Sequence, residues 1–150
     1  VADPWFDGLY DCAWFNPRPE WGSLSPSVRD DPELTSTSRD GREPEVITLE
    51  APEAGATYRV GVHVWDDRGH GASLATVRVH VHGELAFEAT DVPLAHRDLW
   101  WVATITWPVG TVDAEPSCAD PVEVSDPPCG DPLEPPRVTP DYDPPEFLAK

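Results

Sequence analysis

Methionine is absent from the 150 residues, even at position 1, so the chain reads as a processed product or as part of a longer precursor. Positive charge is scarce: 10 Lys and Arg stand against 28 Asp and Glu, a formal net charge of −18. A surface of that sign repels the phosphates of nucleic acid and the headgroups of an anionic membrane. It fits a basic partner, a cation-rich setting or plain solubility. No run approaches the ~18 apolar residues that span a bilayer as a helix, and no signal peptide stands at the start. Export with the signal already removed is the simplest account, which makes the protein periplasmic or extracellular. Cysteine is sparse as well. Cys12, Cys118 and Cys129 are compatible with an oxidising compartment without requiring one.

Catalytic signatures are also missing. The chain has no Gly-Xaa-Ser-Xaa-Gly elbow, no Gly-rich phosphate loop and no paired metal-ligand motif. The acidic pair Asp66-Asp67 sits in a turn, where capping the loop explains it. Cys12 stands next to Asp11 in an aromatic stretch, a poor setting for a reactive thiolate. The expectation is a non-enzyme.

What the chain does carry is two runs of alternating residues around a turn, from Tyr58 to His82. Tyr58, Val60, Val62 and Val64 share one side of the first run, and Val77, Val79 and Val81 one side of the second. Period-two alternation of this kind reads as half-buried antiparallel strands with their valine faces turned inward. A short strand is expected at Glu45–Leu49, with Val46 or Ile47 inward. Gly83 makes a tight connection to a further strand in which Leu85, Phe87 and Ala89 face inward. A last strand follows Pro93, with Ala103, Ile105 and Trp107 inward and a bulge near Leu99. Short strands between Gly/Pro turns, with no helical period, predict an all-β, immunoglobulin-like antiparallel β-sandwich.

Three segments are expected. Residues 1–27 hold aromatics broken by proline and read as an extended arm; residues 28–112 form the sandwich. Residues 113–150 form an acidic, Pro-rich irregular tail with 10 of the 19 prolines. A Cys118–Cys129 disulfide would staple that tail, worth about 3 kcal/mol by loop entropy. Cys12 is then left over, free or joined to another chain; pairing of Cys12 with Cys118 or Cys129 is the rival.

Several side chains invite functional readings. His63, His80 and His82 face the outer side of neighbouring strands, and His80 and His82 stand at a chelating spacing for Zn or Cu if His63 or Glu88 joins them. A solvated face shared with Arg59 and Arg78 explains them without a metal. Trp65, Trp100 and Trp101 are candidates for a sugar-stacking platform, against core packing for Trp100 and protein contact for Trp101.

From Asp11 to Pro108 the order of motifs resembles an uncharacterised β-sandwich module of secreted proteins and lipoproteins of myxobacteria. The resemblance rests on Trp21-Gly22, Pro44-Glu45, Tyr58 with Val60-Gly61-Val62-His63, then Asp67, Gly69 and Gly71. It continues through Ala75-Thr76-Val77-Arg78, Gly83, Trp100, Val102-Ala103-Thr104-Ile105 and Trp107-Pro108. It implies export and a sandwich, and carries no agreed activity. The family's Asp-rich loop looks like a calcium site. Here Thr35, Thr37 and Ser38 replace several acids, leaving Asp30, Asp31, Asp40, Glu43 and Glu45 as a weakened calcium set. Calcium takes six to eight oxygens, several of them carboxylate.

The leading expectation is a non-catalytic structural or accessory subunit of an exported bacterial assembly. Its contacts with partner proteins are assigned to Trp5, Phe6, Trp14, Phe15, Trp101, Tyr142 and Phe147. The alternatives are a carbohydrate- or surface-binding module using exposed Trp residues, and a calcium-stabilised sandwich. No other cofactor, no nucleic acid and no membrane insertion is expected.

Overall fold

The computed structural model describes residues 6–115 and 136–143. Trp5, Phe147, Cys118, Cys129 and most of the Pro-rich tail lie outside the described residues, and the expected Cys118–Cys129 staple lies there with them. Among the described residues every regular element is a strand and all pairing is antiparallel. The chain divides between Ala54 and Gly55 into two units. That division differs from the expected boundaries at 27/28 and 112/113, because the first strands group with the aromatic segment.

The first unit, described over residues 6–54, is turn-rich. It holds one small sheet, β1 (Glu33–Ser36) paired with β2 (Val46–Thr48). The expected strand at Glu45–Leu49 is present but three residues long, and both Val46 and Ile47 are exposed instead of inward. Paired with a single short strand, these two side chains keep 39% and 55% of their surface exposed. Pro19 and Pro32 are the fully buried side chains here. The Leu34 amide donates to the Pro17 carbonyl at 2.8 Å, which ties the aromatic segment to the start of β1. From Phe6 onward the described part of that segment turns at residues 8–10 and again at the Ala13–Asn16 bridge.

The second unit, described over residues 55–115 and 136–143, holds two sheets. One has β3 (Thr57–His63) beside β6 (Leu99–Thr106). The other side of β6 is shared end to end by β7 (Thr111–Ala114), against Ala103–Thr106, and β8 (Arg137–Thr139), against Leu99–Trp101. The other sheet is β4 (Ser73–Val81) paired with β5 (Glu84–Leu94). Two antiparallel sheets sharing one apolar core are consistent with a β-sandwich. The core is Val92, Leu94, Trp100, Val102 and Ala103, with Val60, Val62, Val64, Ala75, Val77 and Phe87 packed against it.

The two valine runs are strands with inward valines, as their alternation requires. They do not lie side by side: β3 pairs with β6, and β4 pairs with β5 in the other sheet. Local periodicity marks a face and says nothing of the neighbour. His82 and Gly83 form the two-residue turn between β4 and β5, with φ of 53° and 80°. Two positive φ angles give the turn whose twist matches a hairpin, and Gly adopts one without a Cβ clash.

Bulges set the remaining faces. Asp91, at φ 57°, sits where β4 and β5 slip register between Ala75 and Val77. The inward set on β5 therefore changes from Phe87 and Ala89 to Val92 and Leu94, while Leu85 is exposed. On β6 the register shifts between Val60 and Gly61, which pair with Ala103 and Trp101 and leave Val102 as the extra residue. The bulge expected near Leu99 thus lies at Val102. It turns Trp100, Val102 and Ala103 all into the core, whereas Ile105 and Trp107 are half-buried.

Candidate functional site

In the first unit, Asp7-Gly8-Leu9-Tyr10-Asp11 folds into a turn whose backbone is held at many points. Asp7 Oδ1 accepts from the amides of Leu9 and Tyr10 at 2.9 and 3.3 Å, and Asp11 Oδ2 accepts from the Asp7 amide at 2.7 Å. The Asn16 side-chain amide donates to the Leu9 carbonyl at 3.0 Å, and Trp21 Nε1 donates to the Tyr10 carbonyl at 2.6 Å. Asp beside Gly forms such turns because its carboxylate caps amides two and three residues on. The turn presents Leu9 and Tyr10, 74% and 60% exposed, with Trp14 nearby in sequence at 52%. Phe6 and Phe15 are half-buried and meet each other, ring centroids 6.4 Å apart; Phe15 also meets Trp14 edge-on at 5.7 Å. Of the aromatic contacts assigned to partners, Trp14 is exposed and Phe6 and Phe15 pack within the unit. Leu9 and Tyr10 were not singled out from the sequence, although the DGLYD run carried the turn signal.

Cys12 is a free thiol whose Sγ approaches the Pro17 carbonyl at 3.6 Å. Burial, chiefly, pushes its thiol pKa up, with Asp11 and Glu33 adding to the effect. A thiol held protonated is a weak nucleophile.

Of the five residues assigned to calcium, Asp30, Asp31, Asp40 and Glu45 turn their carboxylates to separate roles, and the Glu43 amide donates to Ser38 Oγ at 3.3 Å. Asp31 Oδ1 and Asp30 Oδ2 accept from the amides of Trp21 and Ser23, both at 2.6 Å. Asp40 accepts from Ser38 Oγ and the Arg42 amide, and Glu45 from Thr37 Oγ1 and the Ser38 amide. No group of three metal-ligating side chains among the described residues includes any of the five.

The three histidines of the sequence reading do not share a face. His63 is on β3, His80 is on β4 in the other sheet, and His82 is in the hairpin turn with its ring 5.0 Å from Trp107. His63 Nε2 donates to the Tyr142 carbonyl at 3.0 Å, and its ring meets Trp65 and Tyr142 edge-on. Burial, chiefly, holds its pKa below the ordinary histidine value; Arg97 acts in the same direction, against the Tyr142 bond, Asp143 and Asp98.

The tryptophans considered for sugar stacking are arranged around arginines. The Arg137 guanidinium lies 3.9 Å from the Trp101 ring centroid, and Trp101 Nε1 donates to Thr139 Oγ1 at 3.1 Å. Arg137 also meets Glu115 at 3.7 Å, and Glu115 accepts from Thr104 Oγ1. Arg97 stands 5.0 Å from the Trp65 ring, and Trp100 is in the core. A sugar ring stacks on a bare indole face, and Arg137 occupies that position over Trp101. Trp101 and Tyr142 thus work within the second unit, joining residues 137–142 to β6 and β3.

One group of three ligand-bearing side chains does converge among the described residues: Asp66, Asp67 and His96. Asp67 Oδ1 and Oδ2 accept from the Gly69 and Gly71 amides at 2.9 and 3.2 Å. The Gly69 bond is the chief reason its carboxyl lies below the usual carboxylate range. Sequence reading saw the Asp pair but had no means of bringing His96 to it. Comparison with protein-family models, with curated proteins and with solved structures found no match for this chain.

Proposed function

We propose that the chain is a non-catalytic structural or accessory module of an exported bacterial assembly, whose first unit binds a protein partner. The observation that carries this reading is the braced Asp7–Asp11 turn. Among the described residues, seven of the ten exposed large apolar side chains belong to the first unit, and Leu9, Tyr10 and Trp14 stand among them. Single exposed apolar residues are ordinary on a protein surface, but several within a short stretch mark an interaction site. Tyr and Trp are also the side chains that dominate binding energy at interfaces. A turn already fixed by its own hydrogen bonds loses little entropy on docking.

The second unit is read as an immunoglobulin-like scaffold, supported by its two antiparallel sheets and by the residues of the myxobacterial resemblance. Export is supported by the same resemblance and by the acidic composition. A basic face on the partner complements the net charge of −18.

The test is the mass of the native particle, by native mass spectrometry after gentle purification, followed by Tyr10→Ser and Trp14→Ser. The expected result is a particle heavier than the 16.5 kDa chain. Each substitution should weaken assembly about thirtyfold, the effect of losing about 2 kcal/mol, with thermal stability unchanged. A native particle of one chain alone would overturn the reading.

A further inference from the structure

Two turns of the second unit come together just beyond β3. The Val64 amide donates to the Asp98 carbonyl at 3.0 Å, and the Arg97 amide to the Val64 carbonyl at 2.9 Å. These bonds carry the β3–β6 pairing one step past His63 and Leu99, so the 95–98 turn runs beside the 65–71 turn. The first turn brings Asp66 and Asp67 and the second brings His96. We propose that Asp66, Asp67 and His96 bind a divalent cation of the zinc class through two carboxylates and the imidazole Nδ1, with water completing the coordination.

The distances favour a cation over a shared proton. His96 Nδ1 lies 3.5 Å from Asp67 Oδ1 and 3.9 Å from Asp66 Oδ1, and the three ligand atoms all lie within 4.8 Å of one another. A protonated imidazole bonded to a carboxylate closes to about 2.7–2.9 Å. Tetrahedral ligands about 2.0–2.2 Å from zinc stand about 3.3–3.5 Å from each other. The Asp67 separation is already on that scale. The exposed Asp66 carboxylate stands about half an ångström beyond that scale from Nδ1.

The donor set selects the class of metal. An imidazole with two carboxylates suits zinc and its first-row neighbours, whereas calcium takes oxygen alone. The supporting bonds also suit a ligand role. Asp66 Oδ1 accepts from the Arg68 amide at 2.8 Å, and both Asp67 oxygens accept from glycine amides. Each carboxylate oxygen keeps a lone pair beyond those bonds, and outer hydrogen bonds of this kind orient ligating carboxylates. On the other turn, the Ala95 amide donates to Asp98 Oδ2 at 2.7 Å, which fixes the backbone next to His96. The Asp67 amide points at His96 Nδ1 from 3.4 Å, a contact that engages the Nδ1 lone pair of a neutral ring. A metal would take that lone pair in place of a long, weak bond. His70 is on the first turn, its amide bonded to the Asp67 carbonyl at 2.9 Å.

The experiment uses the whole chain, stripped with EDTA and dialysed, titrated with ZnCl2 and separately with CaCl2 by calorimetry near neutral pH. One zinc per chain is expected, with a micromolar dissociation constant and calcium weaker by about tenfold or more. His96→Ala and Asp66→Asn should each weaken zinc about tenfold or more, whereas His80→Ala should leave it unchanged. Asp66→Asn keeps an oxygen for the Arg68 amide. Should His96→Ala misfold, amide shifts in the unsubstituted protein decide the matter. Zinc-induced shifts at 66–71 and 95–98 uphold the site, and shifts centred on His80 and His82 overturn it. Absence of zinc binding at millimolar concentration, equal affinity for calcium, or retention of affinity in both site variants overturns it as well.

Discussion

Removing the indole of Trp101 tests whether it is a structural clasp. Its ring lies under the Arg137 guanidinium at 3.9 Å and its Nε1 donates to Thr139 at 3.1 Å. A cation over a tryptophan face is worth about 0.5–1 kcal/mol at an exposed site and about 2 when desolvated. The Arg137 side chain is 19% exposed and that of Glu115 is 16%, so the upper half of that range applies. The hydrogen bond to Thr139 adds about 1 kcal/mol. Trp101→Phe keeps a ring under the guanidinium and loses the donor, so it should cost about 1 kcal/mol. Trp101→Leu loses both and should cost about 2–3 kcal/mol. The decisive quantity is the coupling between Trp101→Leu and Arg137→Met, measured by urea unfolding of the two single variants and the double variant. It should be about 1–2 kcal/mol, and about 4–8 °C in Tm accompanies each kcal/mol in a domain of this size. Most of it should persist in about 1 M salt, because a half-buried stack is poorly screened. Coupling below about 0.3 kcal/mol would mean that the two side chains are neighbours without interaction, and the clasp would be refuted.

The His63 contact makes stability depend on acidity. Its pKa in the fold lies below its ordinary value of 6.5, mainly through burial. The folded state therefore favours the neutral ring: the contribution is complete above the unfolded value and is lost as pH falls through the folded one. Between neutral pH and about pH 5 the unsubstituted protein should lose more Tm than His63→Gln, and equal losses would contradict this account. Gly110→Ala should destabilise by about 2–3 kcal/mol, since φ is +74° and an added Cβ would stand 2.7 Å from Val81 Cγ1. Gly55→Ala, at φ +85° with open space around it, should cost only about 1 kcal/mol; chemical denaturation separates the two.

Much of the second unit is legible in its sequence because its signals are local. The valines of β3 and β4 alternate, and His82-Gly83 is a turn wherever it occurs. Partner choice is not local. The valine runs adjoin in sequence yet enter different sheets, because a half-buried strand is satisfied by any apolar surface of matching register. The bulge residues Asp91 and Val102 each reverse the inward side, and no composition rule distinguishes Asp91 from the other acids around it. The same limit applies to sites. Trp101 and Arg137 are separated by the whole of β7, and His96 is 29 residues from Asp67. Val46 and Ile47 mislead in the opposite direction. They have strand-forming side chains, but in a sheet of two short strands both remain exposed.

The position of β6 also bears on how the second unit folds. Trp100 pairs with Val62, 38 residues earlier, and with Val138, 38 residues later. The Leu99–Trp101 half of the strand is thus closed on both flanks by distant chain, whereas β7 closes the other half through a short turn, and β4 and β5 are joined through a two-residue turn and form without waiting for either terminus. Non-local pairing of this kind slows folding, since the entropy of closing long loops is lost before the contacts return it. The β4–β5 pairing, by contrast, is wholly local, so it carries the smaller loop-closure cost of the two sheets. During synthesis, β6 emerges before Arg137–Thr139 exists to cover its leading half, so Leu99–Trp101 passes through a period as an open edge. A chain ending before residue 137 would keep that edge permanently, with a tryptophan pair on a bare strand, and aggregation would compete with completion of the sheet.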